Sequence, residues 1–212
     1  MSRTHTLALF DFDGTLVIGD SFREFSFIAS CSCIDVMIVA GLSAASAVGV
    51  ISNAMYKQEV LRRTWVAKSE TERCVIVREV CDLLQKRFRP RVLSALSAHL
   101  ARRDRVVVVS ASPYFYLKRV VQEIHPGVAL FSTQVWLADN DLQVDNLYGA
   151  RKLEPVRALQ AEIGADITHV YTDSMSDLSL LKLADRATLV APSRALLREV
   201  RRLGIPFEVI ER

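Results

Sequence analysis

Asp11 with Asp13, Ser110, Lys152, Asp173 and Asp177 fall at or just beyond apolar runs that read as strands. In open α/β sheets that edge is where ligands collect. Together these residue types suit chemistry on a phosphate monoester. Such an ester is anionic and repels an attacking carboxylate, so a divalent cation has to neutralise both. Magnesium takes hard oxygen ligands and keeps some waters, which suits Asp11 and Asp173 with a carbonyl from the Asp13 loop. Lys152, with the hydroxyl and backbone donors at Ser110 and Ala111, can hold the non-bridging oxygens at a helix N-terminus. Asp13 lies two residues past Asp11 on a turn relaxed by Gly14. From there it can protonate the leaving oxygen and later deprotonate the water that splits an acyl phosphate. Each residue alone has a plain explanation as a turn former, helix cap or surface lysine. The reading rests on the set and its order.

The elements that must position these groups alternate. Thr6–Phe10 is a short apolar strand, and from Ser21 to about Phe88 the pattern is helical without interruption. Within that section Ser69 and Glu72 form a capping box for a helix carrying Ile76, Val80 and Leu84. After Pro90 the rhythm becomes helix, then the four-valine strand Arg105–Val109, then a helix opened by Ser110-Ala111-Ser112-Pro113. Val128–Phe131 is a further strand, and Thr133–Leu147 alternates around Asp139-Asn140-Asp141 as a hairpin. Helices over 154–163, 176–183 and 193–203 separate strands over 169–172, 187–190 and 206–210. This predicts an α/β fold with a doubly wound parallel sheet, interrupted by an all-helical insert.

The motifs resemble those of the haloacid dehalogenase superfamily. Asp11-Phe12-Asp13-Gly14-Thr15-Leu16 is similar to its first motif, Val108-Val109-Ser110-Ala111-Ser112 to its second, and Lys152 after Tyr148-Gly149-Ala150-Arg151 to its third. Tyr171-Thr172-Asp173-Ser174-Met175-Ser176-Asp177 resembles the fourth. The resemblance implies a Rossmann-like core over 1–17 and 88–212 and a type C1 cap over 18–87 that closes over substrate. It makes Asp11 the nucleophile and a metal ligand, and Asp13 the acid/base and a carbonyl ligand. Ser110, Ala111 and Lys152 become phosphate binders, Asp173 a Mg2+ ligand, and Asp177 a support for the metal shell and Lys152. The branch resembled is that of phosphoserine phosphatase. There a cap glutamate is replaced here by Asp20 or Glu24, and Arg63 matches a cap arginine on a helical face with Tyr56 and Val60. The fourth motif has Ser-Met-Ser where a glycine-rich version is usual, so phosphoserine itself is not specified. Two other uses of the fold compete with phosphatase activity: a non-catalytic phospho-ligand binding or regulatory protein, and a dehalogenase.

Composition bounds the rest. A 212-residue chain can hold a core and a smaller second unit, and a net charge of +3 implies no nucleic-acid partner. Cys31, Cys33, Cys74 and Cys81 make no CxxC pair, and Cys74 and Cys81, seven apart on one helix, read as buried thiols in a reduced cytoplasm. Ile34–Ile51 carries one charge, Asp35, but is rich in small residues. It reads as a buried or lid helix rather than a membrane span, and as a possible surface for a lipid-like substrate.

Overall fold

The computed structural model describes residues 5–30, 32–138 and 141–211; Cys31 and the Asp139-Asn140 part of the hairpin turn lie outside them. The strands are β1 (Thr6–Phe10), β2 (Arg105–Pro113), β3 (Ala129–Ala138), β4 (Asp141–Asp145), β5 (Ile167–Thr172), β6 (Arg186–Val190) and β7 (Phe207–Ile210). They form one sheet in the order β4-β3-β2-β1-β5-β6-β7. All neighbours are parallel except β3 and β4, which run antiparallel.

The central strands are apolar on both sides because both faces are covered. Ala8, Phe10, Val106 and Val108 join one core, with Val92, Leu96, Leu117 and Val120 from α5 (Pro90–Ala101) and α6 (Tyr114–Ile124). Leu7, Leu9, Val107 and Val109 point the other way, onto α7 (Leu153–Ile163), α8 (Leu178–Leu181) and α9 (Arg194–Leu203). This is the period-two alternation of a strand translated into two layers of helices. Helices end where the sequence says they should: Gly164 and Gly204 take left-handed conformations after α7 and α9.

Two strands run further than their sequence pattern suggests. β2 continues through Ser112 to Pro113, since the residue before a proline is driven extended, and α6 starts only at Tyr114. β3 is a single strand that pairs with β2 in its first half and with β4 in its second. The expected helix at 176–183 is a 3-10 turn (Met175–Asp177) followed by the short α8.

Between β1 and α5 lie α1 (Ser21–Ala29), α2 (Cys33–Ala47), α3 (Asn53–Thr64) and α4 (Glu70–Gln85). The capping box forms at Ser69 and Glu72 as expected. Phe25 ties this insert to the sheet layers: its ring packs on Phe22 and Trp65 within the insert and on Phe115 and Tyr116 of α6. Phe25→Ala should therefore cost about 3–5 kcal/mol, read as a lower urea midpoint for unfolding. No loss would mean that the insert does not contribute to the cooperative core.

Two expectations fail in part here. Of the buried or lid helix expected over Ile34–Ile51, the buried alternative fails: Val39 is the one buried side chain of α2, while Ile34, Met37, Val48 and Val50 in and after it are 69–75% exposed. Its small residues offer too little apolar surface to seat it deeply. Cys74 is exposed, as are most residues in the first turn and a half of α4, whereas Cys81 further along is buried. Among the described residues no helix is long and apolar enough to cross a membrane.

Candidate active site

β1 ends at Phe10, whose ring stacks on Tyr171 at 4.1 Å between centroids, and the Asp11 amide donates to the Tyr171 carbonyl at 2.9 Å. The first and fourth motifs are thereby held side by side at the carboxyl edge of β1 and β5. Lys152, at the end of a 3-10 turn before α7, closes the group. Its ammonium donates to Asp11 Oδ1 at 2.8 Å and to Asp177 Oδ1 at 2.6 Å, and it is almost wholly buried. The other oxygen of Asp177 accepts from the Thr172 hydroxyl at 2.8 Å. Asp11 Oδ2 has no hydrogen-bond partner among the described residues and stays free for chemistry. Burial pushes the Asp11 carboxyl well above its ordinary range; Lys152 opposes this and the charges of Asp177 and Asp173 reinforce it. The two carboxylates around Lys152 raise that ammonium's pKa against the opposite pull of burial.

Asp173 lies across the loop. Its carboxylate accepts from the Thr15 hydroxyl at 3.2 Å, and its amide donates to the same hydroxyl at 3.0 Å. Gly14 is required here on two counts: its φ is +77°, and a Cβ would collide with the Asp173 carboxylate. Burial raises the Asp173 pKa as well. A buried carboxylate at Asp11 and a half-buried one at Asp173, both with pKa raised by burial, suit a hard divalent cation. Among the described residues no three His, Cys, Asp or Glu side chains converge as a cage. A set of Asp11, Asp173 and a loop carbonyl fits magnesium, which commonly uses one or two carboxylates and keeps several waters.

Asp13 is fixed from both sides. Its Oδ1 accepts from the Ser21 amide at 2.5 Å and its Oδ2 from the Ser112 hydroxyl at 2.6 Å. Burial raises its pKa, and the Asp20 charge adds to this; the bonds from Ser112 and Ser21 pull the other way. Ser110 is fully buried, and its oxygen accepts from the Ser112 amide at 3.0 Å. The hydroxyl hydrogen of Ser110 has no acceptor among the described residues. Ala111 and Ser112, not Ser110, form the wall of the cavity of about 800 Å3 that opens above these groups.

That cavity is bounded below by Asp11, Asp13, Lys152 and Asp173, and on the insert side by Asp20, Phe22, Glu24, Tyr56 and Lys57. Asp20 caps α1 through the Arg23 amide, and Glu24 pairs with Arg87 at 2.6 Å. Arg63 is not brought to the site. Its side chain is 43% exposed and pairs with Glu59 at 2.6 Å one turn back, and it forms no part of the cavity wall. The reason is angular: the buried arc of α3 is Tyr56, Lys57, Val60, Leu61 and Thr64. At about 100° per residue, Arg63 projects roughly 90° away from the centre of that arc. No residue of Ile34–Ile51 lines the cavity either, so the apolar run is not its wall. Sequence reasoning missed Lys57, Ser112, Ser21 and Thr15. The Ser112 position was within reach, two residues past Ser110 on an extended strand and so on the same face.

Residues 8–182 match the family described as haloacid dehalogenase-like hydrolase. Probable phosphatase Rv3661 of Mycobacterium tuberculosis is 27% identical over 218 residues, covering 96% of this chain and 75% of that protein. A Bordetella pertussis protein of unknown function superposes with a TM-score of 0.84 at 22% identity, over 97% of this chain and 98% of the other. A substrate-bound phosphoserine phosphatase gives 0.72 at 16% identity, over 100% and 95%. The chain belongs to the haloacid dehalogenase-like hydrolase family, on the α/β fold shared with the phosphoserine phosphatases.

Proposed function

We propose that this protein is a magnesium-dependent phosphatase acting on a small-molecule phosphate monoester through an aspartyl-phosphate on Asp11. The observation that carries the reading is the buried node in which Lys152 joins Asp11 to Asp177, leaving Asp11 Oδ2 open to the cavity beside Asp173 and Asp13. Asp11 Oδ2 attacks phosphorus as the bond to the leaving oxygen breaks, and Asp13 gives that oxygen its proton. A raised pKa suits Asp13 to this task. A water then attacks the phosphorus of the acyl phosphate while Asp13 takes its proton, releasing phosphate and restoring Asp11. Lys152 and the backbone at Ala111, both on the cavity wall, supply donors for the non-bridging oxygens; Ser110 is fully buried and off that wall, so its hydroxyl is not counted among them. Magnesium, held by Asp11, Asp173 and the Asp13 carbonyl, would supply the charge neutralisation that lets a carboxylate approach an anion.

In this reading residues 18–87 are the cap, and the remainder is the core. The three described cysteines are free thiols, which suits a reducing cytoplasmic setting. The test is metal removal. Hydrolysis of p-nitrophenyl phosphate should fall to background after dialysis against EDTA and return with added Mg2+. Activity that survives chelation would overturn the reading and favour carbon chemistry. Mg2+-dependent binding of a phosphate analogue without turnover on a broad ester panel would favour a non-catalytic binding role.

A further inference from the structure

Lys57 is a buried cation that the steps above do not use. It projects from α3, 3% exposed, onto the cavity wall. Its ammonium reaches across to the second-motif loop, donating in a short bond to the Ala111 carbonyl and to Asn146 Oδ1 at 2.9 Å. It also lies over the Phe22 ring at 5.7 Å. Both acceptors are neutral, which leaves one N–H of the ammonium without an acceptor among the described residues. The charges it feels are those of Asp13 and Asp20, which favour the ammonium, and of Lys152, which opposes it. Asp13 and Asp20 ease the charge from a distance, but neither is within ion-pair reach: Asp13 is held by Ser21 and Ser112, and Asp20 by the Arg23 amide. A buried ammonium without an anion is costly, and burial pulls the Lys57 pKa down to about 8.

We infer that Lys57 is a specificity-determining residue: it grips an anionic oxygen carried by the leaving group close to the ester bond, a carboxylate or a second phosphate. This rests on the phosphatase reading and names the class of ester that the site prefers. An ester with a neutral tail leaves the ammonium unpaired, whereas an anionic tail completes it. Asn146 keeps the lysine aimed, since its amide donates to Asn53 Oδ1 at 3.1 Å and its oxygen accepts from the Thr133 hydroxyl at 3.2 Å.

The experiment compares 2-phosphoglycolate and a bisphosphate with ethyl phosphate, in wild type and in Lys57→Gln, which keeps hydrogen-bond donors but removes the charge. The wild type should prefer the anionic esters in kcat/KM, and Lys57→Gln should shrink that preference roughly tenfold or more. The wild-type preference should also decline as pH rises through about 8, where the free ammonium loses its proton. An interlocking role alone would leave the ratio unmoved. An unchanged ratio, or a wild type that prefers ethyl phosphate, would overturn the inference. Calorimetric binding of 3-phosphonopropionate against propylphosphonate separates this from failure of the catalytic reading. A Lys57-dependent preference there, without turnover of any ester, would sink the phosphatase and keep the anion grip. Equal binding of the two phosphonates would sink the grip alone.

Discussion

Asp11→Asn is expected to lower phosphate-ester turnover by roughly 10^4-fold or more while leaving the thermal unfolding transition almost in place. The amide matches the carboxylate in shape and can still accept from Lys152, so the node keeps a hydrogen bond. It is far less nucleophilic than a carboxylate, and no other side chain can replace it. Asp173 is turned to Thr15, and both oxygens of Asp13 are held by Ser21 and Ser112. Near-normal hydrolysis of p-nitrophenyl phosphate by this variant would show that the carboxylate does not attack phosphorus.

Lys152→Met should fail in two separable ways. Removing one member of a buried charge cluster leaves Asp11 and Asp177 without their shared cation, at a cost of about 3–5 kcal/mol. It also removes a donor to the phosphoryl oxygens, worth about 10^2–10^3 in kcat. The pH dependence has a definite sign. With Lys152 gone, burial raises the folded-state pKa of Asp11 further above its unfolded value. A group raised in this way favours the folded state below its unfolded pKa and loses that contribution as pH rises through the folded value. The deficit of the variant should therefore shrink as the solution is acidified. Adding Asp177→Asn should recover part of the stability and none of the activity. Recovery of both would mean that Lys152 acts only by holding the fold.

Much of the site was legible because it is made of backbone turns with strict residue requirements. Asp11 and Asp173 directly follow strands whose apolar runs announce them, Asp13 and Asp177 lie in the turns just beyond, and Gly14 has to be glycine where the loop meets Asp173. The doubly wound sheet follows from strands apolar on both faces alternating with helices. What the sequence hid was side-chain direction on the insert. Arg63 and Lys57 are both basic residues on one polar-looking helix, and simple spacing from Tyr56 and Val60 favours Arg63. Tertiary packing rotates the buried arc toward Leu61 and Thr64, which turns Lys57 inward and Arg63 to Glu59 and solvent. The exposed α2 was hidden for a related reason. Hydropathy records that its residues are apolar, but not that Ala, Gly and Ser leave it too thin to anchor.

The central claim is that the phosphoryl group rests on residue 11 between two chemical steps. Acid quenching of a reacting mixture, borohydride reduction and peptide mass analysis read that residue directly. The account predicts homoserine at position 11, dependent on substrate and on Mg2+. Reduction product at another carboxylate, or none anywhere while turnover proceeds, would contradict it.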